Sequence, residues 1–164
     1  MKKSLFAFLA FVFAFTSISV DAQKKPNPEK NKTFIQVYTE DFWNKHNIDA
    51  FDKYYTDDFI LHFASGDQNR EQYKETCKAY FAAFPDMKIS TDDLLAEGNK
   101  VVKVWTSNFT HESEFMGIPA TGKPIVQKGI EVIRIEDGKI AEVWFCKDDL
   151  GVMKQLGIIP PMGE

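Results

Sequence analysis

Three histidines, His46, His62 and His111, are the side chains of this chain best suited to moving protons near neutral pH. Their spacing contains neither H-x-H nor HExxH. The paired acids Asp57-Asp58 and Asp148-Asp149 fall at turns, where solvated or helix-capping carboxylates are ordinary, so no metal site is expected. There is no Gly-x-Ser-x-Gly elbow, no cysteine in a His-partnered motif and no phosphate-cradling glycine loop, and no cofactor is expected. What is left is acid–base work in an apolar pocket, which needs only one or two titratable groups shielded from water.

His62 lies among Phe59, Ile60, Leu61 and Phe63, and is expected to be partly buried. It reads either as a core histidine with one hydrogen bond or as a cavity-facing acid–base group. His111 stands beside Glu112 and Glu114, just before the loop from Met116 to Lys123. It reads either as a rim histidine that bonds the loop backbone or as the second acid–base group. Glu131 is flanked by Ile130 and Val132, and a carboxylate in such a strand either faces solvent or is costly to bury. Alternation sets it with Ile133 and Ile135, which leans inward. Aromatic residues Trp43, Phe63, Trp105, Phe109, Phe115, Trp144 and Phe145 come from elements that should surround a cavity. They either pack a core or receive a flat apolar molecule through buried area and ring stacking.

These residues need elements to place them. Ile35, Tyr38 and Phe42 recur at helical spacing and predict a helix over 33–45. Asn47 is expected to cap a short second helix over 48–55, and a strand over 59–63 carries His62. Asn69 with Gln72 has the form of a capping box and opens a third helix that ends near Phe84-Pro85. Strands are then expected over 87–96, 101–115, 125–135 and 140–147, joined by Gly-Asn and Asp-Gly turns and one wide Gly/Pro loop. Asp148 or Asp149 caps a last helical turn. Helices first and hairpin-linked strands after predict an α+β domain, with N-terminal helices packed on a curved antiparallel sheet.

The N-terminus reads differently. Lys2 and Lys3 precede an apolar stretch from Leu5 to Val20, and Val20-Asp21-Ala22 offers small residues where a signal peptidase reads. Residues 1–22 are therefore expected to be a cleaved signal peptide, which places the mature protein in the periplasm or outside the cell. The apolar stretch is shorter than the roughly 20 residues a membrane span needs, so no membrane anchorage is expected after cleavage. Residues 23–32 read as a charged, Pro-containing spacer, 33–158 as the domain and 159–164 as a tail. The net charge of −4 becomes one unit more negative without Lys2, Lys3 and Asp21, which argues against a nucleic-acid partner. Cys77 falls on the apolar stripe of the third helix with Tyr73, Tyr80, Phe81 and Phe84, so it reads as a buried small hydrophobe rather than half of a disulfide with Cys146.

Three segments also resemble one family, the SnoaL-like polyketide cyclases or ester cyclases of the NTF2-like superfamily. They are F-P-D-M at Phe84–Met87, T-H-E-S-E-F-M-G-I-P-A-T-G-K at Thr110–Lys123 and I-E-D-G-K-I-A-E-V-W at Ile135–Trp144. The resemblance spans about residues 33–158. It implies a cone-shaped α+β barrel around a cavity, a cavity-facing histidine at His62, and a homodimer paired through the outer face of the sheet. Those cyclases read Glu-His-Trp-Asp on the last strand, where the Asp shuttles protons in an intramolecular aldol closure. This chain reads Glu142, Val143, Trp144, Phe145, so that carboxylate is not carried over. The resemblance implies a small apolar partner, polyketide-like or an aromatic carbonyl compound. His62 and His111 would perform acid–base cyclisation or isomerisation, with Trp43, Phe63, Trp105, Phe109, Glu131, Trp144 and Phe145 against the ligand. The alternative is a non-catalytic module that binds a hydrophobic ligand.

Overall fold

The computed structural model describes residues 27–160, so the expected leader with its cleavage after Ala22 and the end of the expected tail lie outside the described residues. The first helix begins earlier than the hydrophobic spacing alone predicts. Asn27 caps it by accepting from the Lys30 amide at 3.1 Å, and Pro28 takes the first position, where its missing N–H costs nothing. Helix α1 therefore runs Pro28–Tyr38 through part of the expected spacer. It continues as a wider π-helical segment, Thr39–Asn44, within which the Thr39 hydroxyl donates to the Ile35 carbonyl at 2.9 Å.

After a single 3₁₀ turn at Ile48–Ala50, the short helix α2 (Phe51–Tyr54) leads into β1 (Tyr55–His62). The Asn47 side chain makes no cap at this point. A two-residue strand β2 (Gln68–Asn69) precedes α3 (Arg70–Ala83), and the capping box forms as expected: Asn69 accepts from the Gln72 amide and Gln72 from the Asn69 amide, each at 3.0 Å. Strands β3 (Lys88–Glu97), β4 (Lys100–Thr110), β5 (Pro124–Glu136) and β6 (Lys139–Lys147) follow, then α4 (Asp149–Leu156). Asp148 caps α4 by accepting from the Gly151 amide at 2.7 Å, and Gly157 ends it in the left-handed conformation.

The six strands form one curved, unclosed sheet in the order β2-β1-β6-β5-β4-β3, with helices on its concave side. Every pairing is antiparallel except β1 with β6. Register shifts in β3 at Asp92, in β6 at Ala141 and in β1 between Tyr55 and Ile60 bend the sheet, as extra residues in one strand of a pair must.

One packed cluster joins Ile35, Tyr38 and Phe42 to Phe51, Tyr55 and Phe59 and to Val101, Ile133, Ile140 and Val143 of the sheet. A second joins Ala83, Phe84 and Met87 to Phe109 and Ile125. Cys77 is fully buried in the first cluster while Cys146 is exposed on the convex face, and both are free thiols.

Candidate functional site

A cavity of about 440 Å³ lies between the concave side of the sheet and α3 and α4. Its wall is set by strand parity. On β4, alternate residues point inward, so Lys103, Trp105, Ser107 and Phe109 line the cavity, and His111 follows one step past the strand end. Gln127 and Glu131 line it from β5, Phe145 and Lys147 from β6, and Tyr73, Thr76 and Tyr80 from α3. Exposed Ser65 and Met116 mark where it meets solvent.

Gly129 makes room for the largest of these side chains. It sits opposite Trp105 in the β4–β5 register, and a Cβ there would fall 2.2 Å from the indole Cζ2. Trp105 therefore lies flat over the β5 backbone and stacks on Phe145, with ring centroids 5.7 Å apart and planes within 12°. Trp43 comes from the π-helical segment; its indole N–H donates to the Tyr38 hydroxyl at 2.7 Å. The next residue, Asn44, clamps that segment to β3 by donating to the Ile89 carbonyl and accepting from the Ile89 amide, at 3.1 and 2.8 Å.

His111 is held by backbone on both sides. Its amide donates to the Lys123 carbonyl, and its carbonyl accepts from the amides of Thr121 and Gly122. The strand expected to reach Phe115 therefore stops at Thr110, because the chain turns to bond the far end of its own loop. Thr110 is fixed in turn by Asp86, whose carboxylate accepts from the Thr110 amide at 2.8 Å and hydroxyl at 2.7 Å. Partial burial raises the Asp86 carboxyl, but the two Thr110 bonds outweigh this and hold it below the usual 3.8. The His111 ring meets the Thr121 hydroxyl through Nδ1 at 3.1 Å, and its Nε2, buried on the cavity wall, has no hydrogen-bond partner among the described residues. Trp105 Nε1 and Ser107 Oγ share that condition. Buried polar atoms are rarely left unpaired, and three of them fall on this one wall.

Charged groups line the same cavity. Lys103 Nζ lies 3.2 Å from Glu131 Oε1, with side-chain exposures of 1% and 13%. Lys147 donates to the Tyr80 hydroxyl at 2.6 Å and pairs with Asp149 at 3.0 Å, and Gln127 donates to Asp149 at 3.1 Å. Burial pulls the Lys147 ammonium down, but the Tyr80 oxygen and the Asp149 carboxylate more than compensate and leave it raised. Burial pushes the Tyr38 hydroxyl far up, and the Glu131 charge adds to that. Tyr38 and Tyr55 share a short hydrogen bond.

His111, Trp43, Phe63, Trp105, Phe109, Glu131 and Phe145 thus come together around the cavity. His62 and Trp144 do not, and this corrects their expected placement. Leu61 and Phe63 point inward on β1 and its extension, so His62 points out; Val143 and Phe145 are the concave residues of β6, so Trp144 points out. The two rings stack on the convex face, 5.0 Å apart and within 18°. His62 meets Asp67 at 3.1 Å and Glu142 at 3.6 Å, and the Lys100 ammonium lies over the Trp144 ring. Trp144 and Phe145 are neighbours in one strand and cannot line one surface; alternation from Trp105 likewise marks Lys103 and Ser107, and alternation from Glu131 marks Gln127. Among the described residues, no group of three His, Cys, Asp or Glu could hold a metal ion, and no helix is long and apolar enough to cross a membrane.

The family model described as SnoaL-like polyketide cyclase matches residues 33–156. Three similar solved structures illustrate the likeness. AclR of Streptomyces galilaeus, named as a candidate hydroxylase, is 23% identical with a TM-score of 0.76, covering 82% of this chain and 100% of its own. A candidate polyketide cyclase of Acidithiobacillus ferrooxidans is 33% identical with a TM-score of 0.70, covering 80% and 96%. IdmH of Streptomyces antibioticus, also named as a candidate polyketide cyclase, is 27% identical with a TM-score of 0.68, covering 78% and 99%. No curated protein matches the chain.

Proposed function

Because the chain belongs to the SnoaL-like polyketide cyclase family, we propose that its cavity takes a small, flat, largely apolar carbonyl compound of polyketide-like type and that His111 exchanges a proton with it during cyclisation or isomerisation. The observation that carries this reading is the His111 imidazole, fixed by Thr121 at one nitrogen while the other, unpartnered among the described residues, is buried on the cavity wall. An imidazole so held can accept a proton from carbon or deliver one to oxygen without first giving up a protein bond. Trp105 Nε1 and Ser107 Oγ stand on the same strand as donors for a carbonyl oxygen that gains negative charge. The reading needs no cofactor.

Replacing His111 by Ala and by Gln, and assaying both against a panel of aromatic ketones and β-dicarbonyl compounds, tests it. Loss of turnover of about 10²-fold or more supports a proton-transfer role, while unchanged turnover refutes it. Phe145 favours a second reading. It places a ring, which cannot exchange a proton, in the last-strand position that resemblance to the cyclases gives to Asp, so the domain would bind a hydrophobic ligand without transforming it. Mass spectrometry of ligand released from protein purified from its native source separates the two: an unaltered hydrophobic compound with no turnover of any panel member favours binding alone.

We also propose export through the leader over residues 1–22, and pairing of two copies through the convex face, where Ile130 is 51% and Trp144 36% exposed. Sizing chromatography of wild type and I130D checks the pairing: a dimer that becomes a monomer supports it, and a monomeric wild type ends it.

A further inference from the structure

Lys103 and Glu131 form an ion pair that folding does not ask for. Two charges taken out of water regain in mutual attraction little more than they lost, and two apolar side chains of similar volume would hold the sheet as well. The pair is also not sealed within the core. Both side chains line the cavity, with the ammonium 3.2 Å from Glu131 Oε1.

The register adds a second observation. Lys103 stands opposite Glu131 in the β4–β5 pairing, and Glu131 stands opposite Phe145 in the β5–β6 pairing, so the three occupy one level of the sheet. The hydroxyls of Tyr38 on α1 and Tyr73 on α3 are raised first by burial and further by the Glu131 charge. Lys147 stands two positions along β6 from Phe145 and is already held by Tyr80 and Asp149. The next inward position on β4 after Lys103 is Trp105, about 7 Å along the strand, with its indole N–H unpartnered.

We infer that Glu131, oriented by Lys103, is a carbon-acid base of this cavity, acting on a flat ketone whose α-carbon meets the carboxylate while its carbonyl oxygen meets Trp105. The inference rests on the cavity being the ligand site proposed above. In the step, a Glu131 oxygen takes the α-proton. The electron pair of the broken C–H bond becomes the C=C bond of the enolate, and the carbonyl π pair moves to oxygen, where the Trp105 N–H donates to it. Return of a proton to the same carbon regenerates the ketone and the carboxylate. Attack of the enolate carbon on a second carbonyl within the molecule instead forms the new C–C bond, and the alkoxide so made takes the proton held by Glu131. Lys103 is a positioning residue in this scheme.

The test uses 2-tetralone, a flat bicyclic ketone with acidic α-protons, in D₂O with the full-length mature protein. Proton NMR reads loss of the C1 signal, and quenching of tryptophan fluorescence reads binding. Wild type is expected to accelerate exchange above the buffer rate, and E131Q to lose at least 10-fold of that acceleration while still binding the ketone. K103M should lose a comparable factor and K103R should recover most of it, a rescue that loss of packing alone would not give. Exchange by E131Q at the wild-type rate overturns the assignment and leaves the ligand site standing. Failure of 2-tetralone to bind wild type sinks the site and the assignment together. If E131Q does not fold, as judged by circular dichroism, E131D decides. Its carboxylate is drawn back by one methylene, and a 10-fold or greater loss of exchange with binding retained supports the role, while wild-type exchange refutes it.

Discussion

Gly129 does for the cavity what no other residue could do at its place. Its missing side chain lets the Trp105 indole lie on the β5 backbone and stack on Phe145. Gly129→Ala is expected to destabilise the protein by about 1–3 kcal/mol through overpacking and to tilt the indole into the cavity. A thermal melt reads the first effect, and weaker quenching of tryptophan fluorescence by 2-tetralone reads the second; a melt and quenching identical to wild type would show that the close approach is unimportant. Trp105→Ala should cost about 3–5 kcal/mol as a large-to-small change at a buried ring, read in the same melt. Neither residue's special role is visible from composition. The Trp105–Gly129 pairing becomes visible only when β4 and β5 are set in register, whereas the inward direction of Lys103 and Ser107 follows from counting by twos from Trp105. The same counting separates His62 from Leu61 and Trp144 from Phe145. Residue type and the likeness to known cyclases favour a cavity position for His62 and Trp144, and strand parity overrides both.

Asp86 couples two elements, the turn that follows α3 and the end of β4. Its carboxylate holds Thr110, and Thr110 delivers His111 to the cavity wall. The folded carboxyl titrates below its ordinary 3.8, so this clamp contributes its full stability above that value and loses it as the pH falls through the lower, folded value. Asp86→Ala should therefore lessen the loss of stability on acidification below pH 3.8, measured as the difference in melting temperature between pH 5 and pH 3. If wild type and variant lose stability in parallel over that interval, the clamp is not the source. The elements themselves were largely legible in the sequence. The capping box at Asn69 and Gln72, the Asp-Gly turn after β5 and the Asp148 cap all form where local chemistry places them. The exceptions have local causes. Helix α1 starts five residues earlier because Asn27 and Pro28 begin a helix before any apolar residue arrives, and β4 stops at Thr110 because His111 bonds the far end of its loop.

At the scale of the whole molecule, the α+β class could be read from the order of elements, since helices followed by hairpin-linked strands have few ways to bury one face of each. The cavity could not. Its existence depends on how the register shifts curve the sheet and on which inward side chains fail to meet across it, and both are sums over the fold. The one parallel pairing, β1 with β6, was likewise hidden, because no turn joins the two strands. That pairing has a temporal consequence. A ribosome releases Tyr55–His62 long before Lys139–Lys147, and until the last strand emerges the early one can add only the two-residue β2 along its edges. Completion of the architecture is therefore postponed to the end of synthesis, as expected when distant segments must meet. A chain ended at Gly138 should remain a collapsed, non-cooperative ensemble, with no sharp transition in urea, and growing only as far as Lys147 should restore one.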